Sequence, residues 1–283
     1  MADLQPSRAA SLTAVLRDAG LTGAQEHAST MAARLPALNG PRAEVRQLFI
    51  LFYTVTDDIC VVNGPNGAVV DLSLIDAVQR CVVDIIESGQ PVNDTGLPGR
   101  IFQYFWYTLK KNVPANEHDR LAALFRGMVH AMGVKYRCIS SRSTLPMRKF
   151  FAIRRQIPVL PFMELERALR GVPPADTVAK LSLRPLTEAV SDCISWTNDL
   201  HSAKKERNEG FNLVLLTRDA RRITSSEASE EVRRLIAGRR TTYADASVAF
   251  RSDPGSPVEG LLALYDDLLA AVTPLHEQAL RYR

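Results

Sequence analysis

Residues 190–206 read VSDCISWTNDLHSAKKE. The first half carries apolar side chains on more than one helical face, as a helix surrounded by other helices does. The second half is polar, and Asn198, Ser202 and Glu206 recur at four-residue spacing. On a helix, residues so spaced drift only about 40° per step and line one face over about 12 Å. An amide carbonyl, a hydroxyl and a carboxylate on one face are three hard oxygen donors. Such a set suits Mg²⁺, which keeps waters and takes its remaining ligands from substrate phosphate. A solvated helix face with local Glu–Lys pairing has the same spacing, so this stretch alone admits both readings.

A second run behaves the same way. Leu48-Phe49-Ile50-Leu51-Phe52-Tyr53 leaves no wide polar stripe, and it leads into Asp57-Asp58. Adjacent carboxylates repel, and at the mouth of an apolar bundle they are costly unless a cation sits between them and a ligand. An exposed helix end is the plainer alternative. Two acidic clusters 141 residues apart, each closing an apolar helix, place local chemistry and burial in conflict twice, and such conflicts collect at functional sites.

The rest of the chain supports an all-α fold. Apolar residues recur at three- and four-residue intervals, and sustained two-residue alternation is nearly absent. The pattern predicts helices over about 7–19, 22–34, 42–62, 71–88, 98–111, 116–141, 146–168, 175–205, 211–218, 225–250 and 256–280. Asn63-Gly64-Pro65-Asn66-Gly67, the stretch from Pro91 to Gly96, and Gly171-Val172-Pro173-Pro174 mark turns between them. No break is long enough for a linker and no repeat of fixed period is present, so residues 1–283 read as one helical domain. Its 283 residues, 46% hydrophobic and 23% charged, exclude a disordered chain or a stapled miniprotein. The net charge of +4 is spread along the chain, which points away from nucleic acid and suits a small anionic ligand. Cys60, Cys81, Cys138 and Cys193 never form a CxxC, so they read as reduced, buried thiols rather than a zinc site. No run approaches the roughly 20 apolar residues of a membrane span, and the expectation is a cytoplasmic protein.

Together the two clusters resemble those of bacterial class I terpene synthases. Asn198, Ser202 and Glu206 match the family's second metal motif, N-D-x-x-S-x-x-x-E. Trp196-Thr197 before it, Lys205 and Arg207 beside the glutamate, and Gly210-Phe211-Asn212-Leu213-Val214 after it extend the likeness. Asp57-Asp58 falls where the family carries its aspartate-rich motif. The resemblance covers the chain from about residue 42 and implies a single-domain helical bundle around a central apolar cavity. It implies a Mg²⁺-dependent enzyme, with three ions, that ionises a farnesyl or geranylgeranyl diphosphate and cyclises the carbocation.

The resemblance also assigns residues. Phe150-Phe151-Ala152-Ile153-Arg154-Arg155 matches the segment with the diphosphate-sensing arginine, Arg154. Ile157 and Pro158 then occupy the linker and effector positions of a helix break whose carbonyl faces the cavity. Asp57, Asp58, Asn198, Ser202 and Glu206 would hold metal, and Arg154, Lys205, Arg281 and Tyr282 would donate to phosphate. Phe49, Phe52, Tyr53 and Trp196 precede the motifs at helical intervals and are candidates for the cation-shielding wall, with ordinary core packing as the alternative. Two departures stand out. Val61 replaces the usual third acid of the first motif, and the segment before Asp57 is short for the family. The partners implied are a prenyl diphosphate, no nucleic acid and no membrane, with room for a homodimer. A synthase acting on a pre-cyclised labdane-type diphosphate, a chain-elongating prenyl diphosphate synthase and a non-catalytic helical scaffold are the competing readings.

Overall fold

The computed structural model describes residues 26, 28–30, 32–33, 35, 37–64, 67–90, 96–174, 177–251 and 258–278. The first long helix, α1 (Pro41–Cys60), starts with proline in its first turn, where a missing N–H costs nothing. It buries Val45, Leu48, Phe49, Phe52 and Val55 on several faces, as its unbroken apolar pattern requires. A short antiparallel hairpin follows, β1 (Val61–Gly64) with β2 (Gly67–Val70). The sequence pattern carries the helix to 62. The valine pairs Val61↔Val70 and Val62↔Val69 instead pair as strands across the glycine-rich turn.

Next come α2 (Leu72–Ser88), α3 (Gly96–Asn112) and α4 (His118–Ser141). Asp71 caps α2 by accepting from the Leu74 N–H at 3.0 Å. Gly89 closes it at φ 78°, a left-handed conformation that favours glycine. The dense aromatic run of α3 is packing: Phe102 and Phe105 lie 5.0 and 5.7 Å, centre to centre, from Phe52 and Phe49, and Phe105 meets Phe125 of α4 edge-on at 5.2 Å.

The helix predicted over 146–168 is interrupted. It divides into α5 (Met147–Arg154), a wide turn (Arg155–Val159) and α6 (Leu160–Leu169). Ile157 leaves helical geometry at φ −118°, ψ 107°, because Pro158 has no N–H and its ring clashes with the preceding turn. Arg46 of α1 grips Glu166 of α6 through two 2.6 Å hydrogen bonds in the interior, which fixes α1 against the element after the break.

Helices α7 (Thr177–Ser202), α8 (Leu213–Arg221), α9 (Ser225–Arg251) and α10 (Glu259–Gln278) complete the described chain. Helix α7 packs against α8, α9 and α10, while α1 packs against α3 and α6. The two helices that end in the sequence's acidic clusters therefore both lie inside the bundle. Apart from the hairpin the described fold is all-α.

Candidate active site

Helix α7 ends at Ser202, three residues before the predicted boundary, but its geometry carries on. The Glu206 N–H bonds the Ser202 carbonyl at 2.8 Å, so Glu206 sits one further turn along. Gly210, at φ 68°, then turns the chain toward α8. Asn212 is the N-cap of that helix: its Oδ1 accepts from the Val214 N–H at 2.9 Å. Its Nδ2 reaches back to the Asp199 carbonyl (2.9 Å), the Ser202 Oγ (3.2 Å) and the Glu206 Oε2 (2.9 Å). One buried amide thus aligns two of the three proposed donors. Asn212 lies in the stretch that follows the motif, and nothing in its spacing announces this role.

The third donor is organised from the other side. Arg154, almost fully buried, sends Nε to Asp199 Oδ1 (2.9 Å), Nη2 to Asn198 Oδ1 (2.8 Å) and Nη1 to the Ile157 carbonyl (2.8 Å). The proline break frees that carbonyl from the helical ladder, and the arginine takes it. Asp199 also accepts from the Leu213 N–H at the start of α8 at 3.0 Å. Burial, with Glu206 adding to it, holds its carboxyl above the usual carboxylate range against the pull of Arg154 and the Leu213 N–H. The guanidinium stays charged throughout, held by Asp199 against the cost of its own burial. Asp199, the motif position the sequence reading left without a role, is therefore the residue that fixes Arg154.

At the first motif the structure places a partner that sequence spacing could not reveal. The Lys135 Nζ of α4 bonds Asp57 Oδ1 at 2.8 Å, and the neighbouring Tyr136 hydroxyl donates to the same oxygen at 3.0 Å. Burial, followed by the nearby Asp57, holds the Tyr136 phenol protonated. Asp58 faces Lys205 from the turn after α7, at 3.1 Å. The two motifs are therefore joined across the mouth of the bundle by an Asp58–Lys205 pair.

Between them lies a cavity that opens to solvent. Its wall is apolar: Phe49, Ile50, Phe162, Ile194, Leu268 and Val272. Asp57, Arg154, Asn198, Lys205 and Glu206 gather among its polar groups, and Tyr53, Thr54, Pro158 and Ser195 also line it. Leu35, from the segment before α1, contributes to the wall as well. Two of the aromatic candidates need correction. Phe52 is fully buried against Phe102, because it lies on the face of α1 that meets α3. Trp196 packs at a tilt 5.3 Å from Phe151 and lies under the Arg239 guanidinium at 5.6 Å. Neither lines the cavity, whereas Phe49 and Tyr53, one turn apart, both do. The Ile157 side chain is buried in the core and Ser202 is buried beneath the motif. Arg281 and Tyr282 lie outside the described residues.

Residues 48–242 match the family model described as terpene synthase family 2, C-terminal metal binding. The chain belongs to that family. The matched span contains both acidic motifs, the arginine and the helix break of this synthase. No curated protein matches it closely in sequence. Its fold is similar to wild-type cucumene synthase (TM-score 0.72, 18% identity, 94% of this chain and 93% of that one). It is also similar to germacradien-4-ol synthase from Streptomyces citricolor (0.73, 18%, 96% and 90%) and to linalool/nerolidol synthase from Streptomyces clavuligerus in complex with 2-fluorogeranyl diphosphate (0.70, 19%, 90% and 86%).

The family is described as metal binding, and the donors of the synthase fit a hard cation. Among the described residues no three histidine, cysteine or carboxylate side chains converge on one point. What the second motif offers is oxygen alone, from an amide, a hydroxyl and a carboxylate, the latter two held by Asn212. That set suits Mg²⁺ completed by water and phosphate. The four cysteines are buried and free of disulfides, with burial pushing the Cys60 thiol up to about 12. No helix among the described residues is long and apolar enough to cross a membrane.

Proposed function

We propose that the synthase ionises a linear prenyl diphosphate, farnesyl or geranylgeranyl, and cyclises the resulting carbocation to a terpene hydrocarbon or alcohol with release of diphosphate. The observation that carries this reading is the division of the cavity. Apart from the Thr54 and Ser195 hydroxyls, its polar groups are an arginine, a lysine, carboxylates and an amide, and the rest of its wall is mostly hydrocarbon. A prenyl diphosphate has the matching division, with about three negative charges on one end and an unreactive chain on the other. The complex of a fold relative with 2-fluorogeranyl diphosphate supports the substrate class.

Asn198, Ser202 and Glu206 would hold Mg²⁺, with Asp57 and Asp58 approaching from the opposite side; the family resemblance suggests three ions. Bound metal would supply positive charge to the leaving diphosphate. Arg154 and Lys205 are placed to donate to its oxygens, and Arg281 and Tyr282 join them by family resemblance. The allylic C–O bond breaks with its electron pair leaving on the diphosphate. Arg154 also ties that end to the break at Ile157-Pro158, so a shift of the guanidinium toward phosphate is transmitted to the segment that lines the cavity. Phe49, Tyr53 and Phe162 present ring faces and hydrocarbon to the cation and keep water out. The carbocation is then quenched by loss of a proton, or by addition of water followed by loss of a proton.

The test is incubation with farnesyl and with geranylgeranyl diphosphate, each with Mg²⁺ and with chelator, read by gas chromatography of the extract. A cyclic product from one of them, absent with chelator, is expected. Elongated diphosphates in the presence of isopentenyl diphosphate, or no diphosphate release at all, would overturn the proposal.

A further inference from the structure

Lys135 belongs to none of the matched motifs, and its position asks for an explanation. It is a lysine with almost no exposure, in the interior half of α4, and its ammonium bonds the carboxylate that opens the first motif. Burying an ammonium costs several kcal/mol unless a counter-charge is fixed beside it, and here that charge is Asp57. Glu209 and Glu206, on the turns beyond α7, also act on it. The direct contact of the ammonium is with Asp57, in the first motif. Asp58 has its own lysine, Lys205. In the second motif, by contrast, the partner of Ser202 and Glu206 is the neutral Asn212 amide, and the guanidinium on Asn198 is itself paired with Asp199.

We propose that Lys135 is a built-in counter-ion that occupies Asp57 and opposes divalent-cation binding there. Lys135 thereby sets the order in which the two motifs load. The Asn198/Ser202/Glu206 face takes its ion first; Asp57 takes one only when bound diphosphate supplies enough negative charge to offset the ammonium. Lys135 is a positioning residue in this account, acting through Asp57. Like charges this close weaken the attraction of a carboxylate for a cation. A fixed ammonium beside the first motif also fits the absence of a third acid at Val61: with Asp57 engaged by Lys135, α1 contributes less to metal capture than α7 does. This inference rests on the proposed metal site, and its test separates the two.

Thermal unfolding of the full chain is followed across a Mg²⁺ titration with inorganic diphosphate, for the wild type, Lys135→Met, Lys135→Gln and the double variant Asp57→Asn/Lys135→Met. Lys135→Met is expected to melt lower in chelator and to reach half-saturation at about tenfold less Mg²⁺ than the wild type. Lys135→Gln, which keeps a hydrogen-bond donor without charge, shifts the same way and serves if the methionine variant does not fold. In the double variant the tenfold gain disappears. A wild type that responds to Mg²⁺ while both single variants respond at the wild-type concentration or higher overturns the counter-ion role and leaves the metal site standing. A wild type with no Mg²⁺ response overturns the metal site and this inference together.

Discussion

The two acidic motifs end similar helices yet are prepared differently. At the end of α1, Asp57 and Asp58 each face a lysine, and the Tyr136 hydroxyl adds to the hold on Asp57. At the end of α7, Ser202 and Glu206 share a neutral amide, and Asn198 is held by an arginine that is itself anchored to Asp199. Charge partners compete with a metal ion; neutral donors orient ligands without cancelling their charge. Two oxygen-donor motifs at the ends of similar helices therefore need not bind equally. The second is pre-arranged for a cation, and the first is held closed until something outweighs its lysines.

The largest effect that could break this contrast is on turnover. Glu206→Ala and Asn198→Ala should each reduce kcat by about 10³-fold, the scale of losing a group that stabilises developing charge, with melting temperatures near the wild type. Steady-state diphosphate release measures the first quantity. Activity near wild type at saturating Mg²⁺ in either variant removes the reason for treating α7 as the principal metal face. Within the first motif, Asp57→Asn should cost more than Asp58→Asn, because Asp57 lines the cavity while Asp58 engages Lys205 at its mouth. The reverse order would exchange their roles.

Next in size is Asn212→Ala. Losing the amide that orients Ser202 and Glu206 should weaken Mg²⁺ binding about 10–100-fold, and losing the N-cap of α8 should cost about 1 kcal/mol of stability. Calorimetric Mg²⁺ titration and denaturant melts check the two separately. A drop in stability with unchanged metal affinity would show that the cap matters and the alignment does not. The smallest effect on turnover belongs to the aromatic pair on α1. Phe49→Leu should alter the product mixture with a modest change in rate, since Phe49 is on the cavity wall. Phe52→Leu should lower the melting temperature and leave the mixture alone, since Phe52 faces Phe102. Chromatographic product ratios decide it.

How much of this was legible in the sequence follows from the range of the forces involved. Periodicity is local, so α1, α4, α7 and α9 were readable, and so was the interruption at Pro158, which acts within one turn. The hairpin at 61–70 was missed because four-residue strands are too short to show alternation. The cluster at 198–206 was legible because its donors lie on one segment. Asn212 and Asp199 lie within or beside that cluster, yet their roles depend on where α8 starts. Lys135 is 78 residues from Asp57, and no local pattern connects them. The same limit explains Phe52 and Trp196: helical spacing narrows the face a residue occupies, but the neighbouring helix decides whether that face is cavity or core.

On this proposal the second motif binds metal before the first and more firmly. The most direct measurement is anomalous diffraction from crystals of the wild-type synthase soaked with Mn²⁺, with and without inorganic diphosphate. The account predicts a peak among Asn198, Ser202 and Glu206 in both soaks, and a peak beside Asp57, with Lys135 displaced from it, only when diphosphate is present. Mn²⁺ at Asp57 without diphosphate, or an empty Asn198/Ser202/Glu206 face when diphosphate is bound, would contradict it.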